Sequence, residues 1–120
     1  MTMFTTFNLT GLEGFDEVWL VDAEYSAQPG CRPVPVCVVA KEAFTGRELR
    51  LWEHELTASV SPPFRLDHRA LFVSYATAAE FSVFHTLGWP APARVLDLFV
   101  EFRALTNGLS TVSGAGQPRV

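Results

Sequence analysis

An apolar run that ends in two carboxylates is the feature that most constrains this chain. Residues 18–21 read Val-Trp-Leu-Val, and Asp22 and Glu24 follow with Ala23 between them. A strand that is apolar at every position is buried on both faces, so the run predicts a central strand of a sheet. Because side chains alternate along a strand, Asp22 and Glu24 are expected to point to the same side.

Two interpretations of this acidic pair follow from the residues alone. Two carboxylates at the end of a buried strand repel each other, and a divalent cation between them removes that repulsion. Oxygen ligands of this kind favour Mg²⁺ or Mn²⁺. In the other interpretation the strand has reached the surface, and Asp22 and Glu24 are simply solvated. Both remain open at this point.

Composition limits the classes of protein that the chain can belong to. Of its 120 residues 48% are apolar and 18% are charged, which predicts one globular domain. The net charge of −4 excludes a protein that holds nucleic acid by basic charge alone, so any such contact must use metal ions and a few arginines. The apolar runs are too short to cross a membrane and no signal peptide is visible, so we expect no membrane contact and a cytoplasmic location.

The remaining patterns predict an alternating α/β order. Strands are expected at residues 36–40, 48–53, 71–74 and 95–96, and helices after Thr77 and from Asp97. Residues 54–69 have no sustained period and are expected to be irregular, or to contain a short helical turn. We divide the chain into an N-terminal arm (1–14), one domain (15–106) and a flexible tail rich in Gly, Ser and Thr (107–120).

The last predicted helix is apolar around most of its circumference. Such a helix is normally buried on all sides, yet few residues remain after residue 105 to cover it. We therefore expect a C-terminal layer to be missing from this domain. Either the domain is partial, or a partner covers residues 98–105.

Three motifs, in order, resemble those of one enzyme family. Residues 21–24, Val-Asp-Ala-Glu, look like the first motif (D-x-E) of the DEDD 3′–5′ exonucleases. Residues 71–81 resemble the second motif, in which a strand runs into a helix whose first turn carries a carboxylate, here Glu80. Residues 95–98, Val-Leu-Asp-Leu, resemble a later strand-to-helix junction in the proofreading domains of family A DNA polymerases. Arg103 and the Thr-Asn-Gly of residues 106–108 add to the likeness.

The resemblance implies a fold and a reaction. The fold would be α/β of ribonuclease-H-like type, a mixed sheet made of a three-stranded antiparallel meander and two further strands, with flanking helices. The reaction would be two-metal hydrolysis of the 3′-terminal phosphodiester of single-stranded DNA. By the family pattern, Asp22 bridges two Mg²⁺ or Mn²⁺ ions, Glu24 binds the ion on the nucleophile side, and Glu80 binds the leaving-group ion through water. Asp97 would support the site without binding metal, and a polymerase domain is an implied partner.

The chain departs from the family at two points. Glu80 stands where the second motif usually has Asp, and the third motif, with Tyr or His before a fourth carboxylate, is absent. We therefore expect a domain truncated before that motif. Three functions stay open: an exonuclease that works with three carboxylates, a non-catalytic partial domain that binds DNA or protein, and an unrelated α/β interaction module whose acids occur by chance.

Two of the candidate residues also have purely structural interpretations. Thr77 and Glu80 have the spacing of a capping box, in which Glu80 would bond back to the start of its own helix. Asp97 opens a helix, where an acid is favoured by the helix dipole. Neither interpretation requires a catalytic site.

Overall fold

The computed structural model describes residues 11–59, 61–109, 111–112 and 118–119. Its elements in chain order are β1 (Glu17–Ser26), β2 (Val34–Glu42), β3 (Glu48–Trp52), α1 (Glu53–Ala58), β4 (Ala70–Ser74), α2 (Ala78–Leu87), β5 (Val95–Asp97), α3 (Leu98–Thr106), β6 (Thr111–Val112) and β7 (Pro118–Arg119). The predicted N-terminal arm falls largely on residues 1–10, outside the described residues.

The five longer strands form one mixed sheet in the order β3-β2-β1-β4-β5. Strand β1 pairs antiparallel with β2 and parallel with β4, and β4 pairs parallel with β5. The prediction that the apolar run is a central strand is thus confirmed. The connection from β4 to β5 passes through α2, as a parallel pair requires.

The main core lies on the face of the sheet that α1 and α2 cover. Trp19, Val21 and Ala23 of β1 point to this face, and Leu56 of α1 and Phe84 of α2 pack against them. The opposite face has a smaller core. Its buried members are Val18, Leu71 and Val73. Strand β1 is therefore buried on both faces only at Val18 and Trp19; from Leu20, which is 43% exposed, alternate side chains reach solvent.

Local differences from the sequence prediction have clear causes. Strand β2 begins at Val34, so Pro35 lies in a strand where we expected loop; it is beyond the last β2–β3 pair, so its missing N–H leaves no gap in that ladder. The α1 helix occupies part of the segment expected to be irregular. It is short, but Leu56 on it is completely buried, and the Trp52 N–H donates to the Glu55 carboxylate at its first turn.

The prediction that the last, apolar helix lacks cover is confirmed for the described residues. No residue of α3 is buried within the described part of the chain. The exposed fraction is 44% for Leu98, 56% for Phe102 and 80% for Leu105. An apolar helix is thus left uncovered. The strands β6 and β7 pair with each other, and the flexible tail stays a prediction. No helix among the described residues has the length and apolar character needed to cross a membrane.

One buried carboxylate, which the sequence did not single out, fixes the turn between β2 and β3. Glu42 is 3% exposed and accepts hydrogen bonds from the backbone N–H groups of Val18, Phe44 and Thr45 at 2.8–3.0 Å. Burial would raise the pKa of Glu42, but these three donors outweigh it and hold the pKa below its usual value. The turn is therefore attached to the start of β1.

Loss of this carboxylate should destabilise the fold. We expect Glu42→Ala to lower the free energy of unfolding by about 2 kcal/mol, because buried N–H groups lose their acceptor. Since the folded pKa is lowered, the contribution of Glu42 is present above its usual pKa of 4.5 and is lost as the pH falls through the folded value. Urea unfolding measures both effects.

The matched control is Glu48→Ala in the same hairpin. Glu48 is exposed and makes a 3.6 Å ion pair with Arg50, so its loss should change stability by less than about 0.5 kcal/mol. Equal effects of the two substitutions would contradict the role assigned to Glu42.

Candidate active site

The candidate residues meet at one edge of the sheet. Strands β1, β4 and β5 run parallel, so their carboxyl ends lie at the same edge. That edge carries Asp22 and Glu24 on β1, Ser74 at the end of β4 and Asp97 at the end of β5. Ligand sites of open α/β sheets form outside the carboxyl ends of the strands.

Glu80 enters this edge from the first turn of α2. Its side chain is 2% exposed, and its Oε1 accepts a hydrogen bond from the Ala23 N–H at 3.3 Å. The pairing of β1 with β4 ends at Leu20 and Val73, so Ala23 lies beyond the last β4 partner. The Glu80 carboxylate thus accepts a β1 N–H that lies beyond the pairing with β4. Its other oxygen, Oε2, is buried without a hydrogen-bond partner.

The capping-box interpretation of Glu80 is wrong. Thr77 has helical dihedral angles (φ −54°, ψ −23°) and its side chain caps no backbone N–H of α2. Its hydroxyl instead accepts a hydrogen bond from the Ser74 hydroxyl at 3.0 Å. The Glu80 carboxylate is therefore free to reach across to β1, and its position is set by the tertiary fold.

The electrostatics of Glu80 are those of a buried acid next to a second acid. Burial raises the pKa of Glu80 above its usual value, and the charge of Asp22 acts in the same direction. The Ala23 N–H, the N–H of Glu80 itself and the nearby Ser74 hydroxyl oppose these effects without cancelling them. A cation bound to both Glu80 and Asp22 would stabilise their ionised forms and so compensate for burial and for the repulsion between them.

The three predicted metal ligands lie on β1 and at the start of α2. The Asp22 charge adds to the raised pKa of Glu80, and Asp22 itself is exposed. Glu24 is exposed at the position where the β1–β2 register shifts, an irregularity that changes the direction of a strand. In the part of the chain that the structure describes, no three Asp, Glu, His or Cys side chains are grouped to hold a metal ion.

The fit of the site to a divalent cation therefore rests on one pair. The orphaned Glu80 Oε2 and the Asp22 carboxylate provide hard oxygen donors. A complete two-metal site needs more ligands than this pair supplies. The role predicted for Glu24 stays a prediction.

Asp97 is hydrogen-bonded on two sides. Its carboxylate accepts hydrogen bonds from the N–H groups of Phe99 and Val100 at the start of α3. The interpretation of Asp97 as the acid that opens this helix is thus confirmed. It also accepts from the N–H groups of Ala76 and Thr77, before α2. The Thr77 bond is the largest cause of a lowered pKa for Asp97. Sequence spacing gave no sign of this second contact.

Two further features lie on α3 and beside α2. Arg103 has its guanidinium 5.6 Å from the Phe99 ring centroid, on α3. A cavity of about 260 Å³ adjoins the C-terminal half of α2. Its lining residues are Phe81, Phe84, His85, Trp89 and Ala91. None of the candidate carboxylates belongs to it.

Comparison with known proteins identifies one similar fold. No family model and no curated protein matches the chain. The crystal structure of the EXO domain of Nibbler from Aedes aegypti superposes with a TM-score of 0.54 at 13% sequence identity. The match covers 86% of this chain and 53% of that one, so the chain spans about half the length of that domain. The predicted α/β fold of ribonuclease-H-like type, with a mixed five-stranded sheet and flanking helices, is confirmed.

The raised pKa of Glu80 gives the first test of the site. In metal-free buffer near neutral pH, Glu80→Gln should raise the free energy of unfolding by about 1 kcal/mol, because the amide keeps an acceptor for Ala23 and removes a buried charge. A raised folded pKa means that Glu80 stabilises the fold below its usual pKa of 4.5 and loses this contribution as the pH rises through the folded value.

The difference between variant and wild type should therefore shrink as the pH falls toward 4.5. Urea unfolding across this range measures it, with Glu53→Gln on the exposed surface of α1 as the matched control. Destabilisation by Glu80→Gln of the same size at every pH would contradict the assigned environment.

Proposed function

We propose that this chain is a partial 3′–5′ exonuclease domain of the DNA-proofreading type, acting on the 3′ end of single-stranded DNA. The observation that carries the proposal is the buried Glu80 carboxylate, which accepts the Ala23 N–H at the end of the central strand and whose pKa is raised by burial and by the Asp22 charge. The exonuclease-domain fold of the structural neighbour supports it. The motif resemblance from residue 15 to residue 108 adds the substrate class.

The chain's own residues divide the work of such a site. Glu80 is fixed by burial and by the Ala23 N–H, so it can offer one oxygen in a constant position. Asp22 is exposed at the strand end and can meet an incoming ligand. Mg²⁺ or Mn²⁺ bound by this pair would activate a water and stabilise the leaving 3′ oxygen. Glu24 is the third proposed ligand, and Asp97 supports the site.

Charge makes the cation necessary for substrate binding as well. The chain has a net charge of −4, and the proposed site itself is acidic. A DNA phosphate would be repelled by Asp22 and Glu80 without a cation between them. We therefore infer that single-stranded DNA binds weakly in chelator and more tightly with Mn²⁺.

A nuclease assay tests the proposal directly. The purified chain with Mn²⁺ should shorten a 5′-labelled single strand from its 3′ end. Asp22→Asn should lower the rate at least about 100-fold, because a metal ligand is lost while the shape of the side chain is kept. Glu53→Gln, an exposed acid outside the site, is the control and should leave the rate unchanged.

The negative outcomes are also informative. Cleavage that persists in Asp22→Asn would contradict the assigned site. No cleavage by a chain that circular dichroism shows to be folded would contradict catalysis by this chain, and would favour the second candidate function.

The second candidate function is a non-catalytic interaction module. The exposed apolar side chains of α3 favour it, since a contiguous apolar surface of this kind marks a binding interface. We propose that a polymerase domain or another polypeptide covers residues 98–105.

Substitutions on α3 test whether this surface is open. Phe102→Ser together with Leu105→Ser should change the free energy of unfolding by less than about 0.5 kcal/mol, because both side chains already contact water. The same pair should reduce the fluorescence of a bound anilinonaphthalene sulfonate dye, which reports exposed apolar surface.

The matched control is Leu71→Ser in β4, where the side chain is 7% exposed. It should destabilise the fold by roughly 2–5 kcal/mol. A comparable loss from the α3 substitutions would mean that α3 is already covered.

A further inference from the structure

Ala76 has a backbone conformation that its side chain disfavours. Its φ is +59°, and no other non-glycine residue in the described part of the chain has a positive φ. The left-handed region is strained for a residue with a Cβ and persists only where surrounding contacts hold it. Ala76 lies between β4 and α2, just before the helix that carries Glu80.

The contacts that hold Ala76 come from Asp97, twenty-one residues later. Asp97 Oδ1 accepts the Ala76 N–H at 3.0 Å, and Oδ2 accepts the Thr77 N–H at 2.9 Å. Oδ1 also accepts the N–H groups of Phe99 and Val100. One carboxylate thus joins the segment before α2 to the start of α3.

This segment determines how α2 begins. The Ala76 carbonyl accepts from the Ala79 N–H, and the Thr77 carbonyl accepts from the Phe81 N–H. These bonds form the first turn of α2, which contains Glu80. The direction of the Ala76 backbone therefore sets the approach of Glu80 to Ala23.

We propose that Asp97 is a positioning residue that holds Ala76 in its left-handed conformation and thereby places the Glu80 carboxylate beside β1. The functional meaning of this positioning rests on the function proposed above. The positioning itself is a property of the folded chain and can be measured without metal or DNA.

The contacts of Asp97 exceed what a helix cap needs. A cap for α3 requires only an acceptor for the Phe99 and Val100 N–H groups, and serine performs that role well. The bonds to Ala76 and Thr77 stabilise the start of a different helix. Asp97→Ser should therefore preserve the cap on α3 and remove the restraint on Ala76, because a hydroxyl is too short and has one oxygen.

The experiment measures hydrogen exchange at the Ala23 amide, which Glu80 accepts. In metal-free Asp97→Ser, we expect the Ala23 amide to exchange about tenfold faster than in the wild type, the effect of losing one hydrogen bond to a charged group. The amides that pair β1 with β2 should change much less. Thermal unfolding of the same samples separates this local effect from a global loss of stability.

A rescue variant makes the test specific. Ala76→Gly removes the Cβ that disfavours a positive φ, so Asp97→Ser with Ala76→Gly should restore most of the Ala23 protection. An unchanged Ala23 amide in Asp97→Ser would overturn the proposal. So would faster exchange at all sheet amides in parallel, or a failure of Ala76→Gly to restore Ala23. The exchange measurements need neither metal nor DNA, so they test the positioning role even where the nuclease assay shows no cleavage.

Discussion

The hydrogen bond from the Ala23 N–H to Glu80 is the contact on which the site depends. Strand β4 stops pairing with β1 at Leu20, so the backbone of β1 beyond that point needs another acceptor. A carboxylate from α2 meets the need, and the helix is thereby locked to the sheet. The consequence is a buried acid whose second oxygen has no partner. Such a group is unfavourable unless it is protonated or bound to a cation.

The rest of the fold serves to keep this arrangement in place. The parallel order of β1, β4 and β5 brings their carboxyl ends to one edge. Asp97 connects that edge to the strained residue before α2, and Glu42 attaches the β2–β3 turn to the beginning of β1. The helix α3 is the exception, because none of its residues is buried in the described part of the chain.

The sequence predicted the fold well because the apolar pattern of β1 is nearly unambiguous. It also predicted a last helix that is apolar nearly all round yet lacks cover, and no residue of α3 is buried in the described part of the chain. The α1 helix was expected as no more than a short helical turn, because six residues carry too little periodicity for a helix prediction. The capping box at Thr77 was a sound local inference, but a tertiary hydrogen bond to β1 displaced it.

The site was less predictable, since its key contacts span long sequence separations. Nothing near residue 80 indicates that Glu80 binds the backbone of Ala23, fifty-seven residues earlier. Likewise, the left-handed Ala76 cannot be foreseen, because alanine has no preference for that region. The grouping of Asp22 with Glu24 followed from strand alternation, but the register shift after Glu24 depends on the partner strand.

The central claim is that Asp22 and Glu80 together bind a divalent cation. The most direct test is a titration of the labelled chain with substoichiometric Mn²⁺, in which paramagnetic broadening of each backbone amide is followed by NMR. The account predicts that the amides of Ala23 and Glu80 broaden first, and that Asp22→Asn abolishes this. Broadening centred on the exposed acids of α1, with Ala23 unaffected, would contradict it.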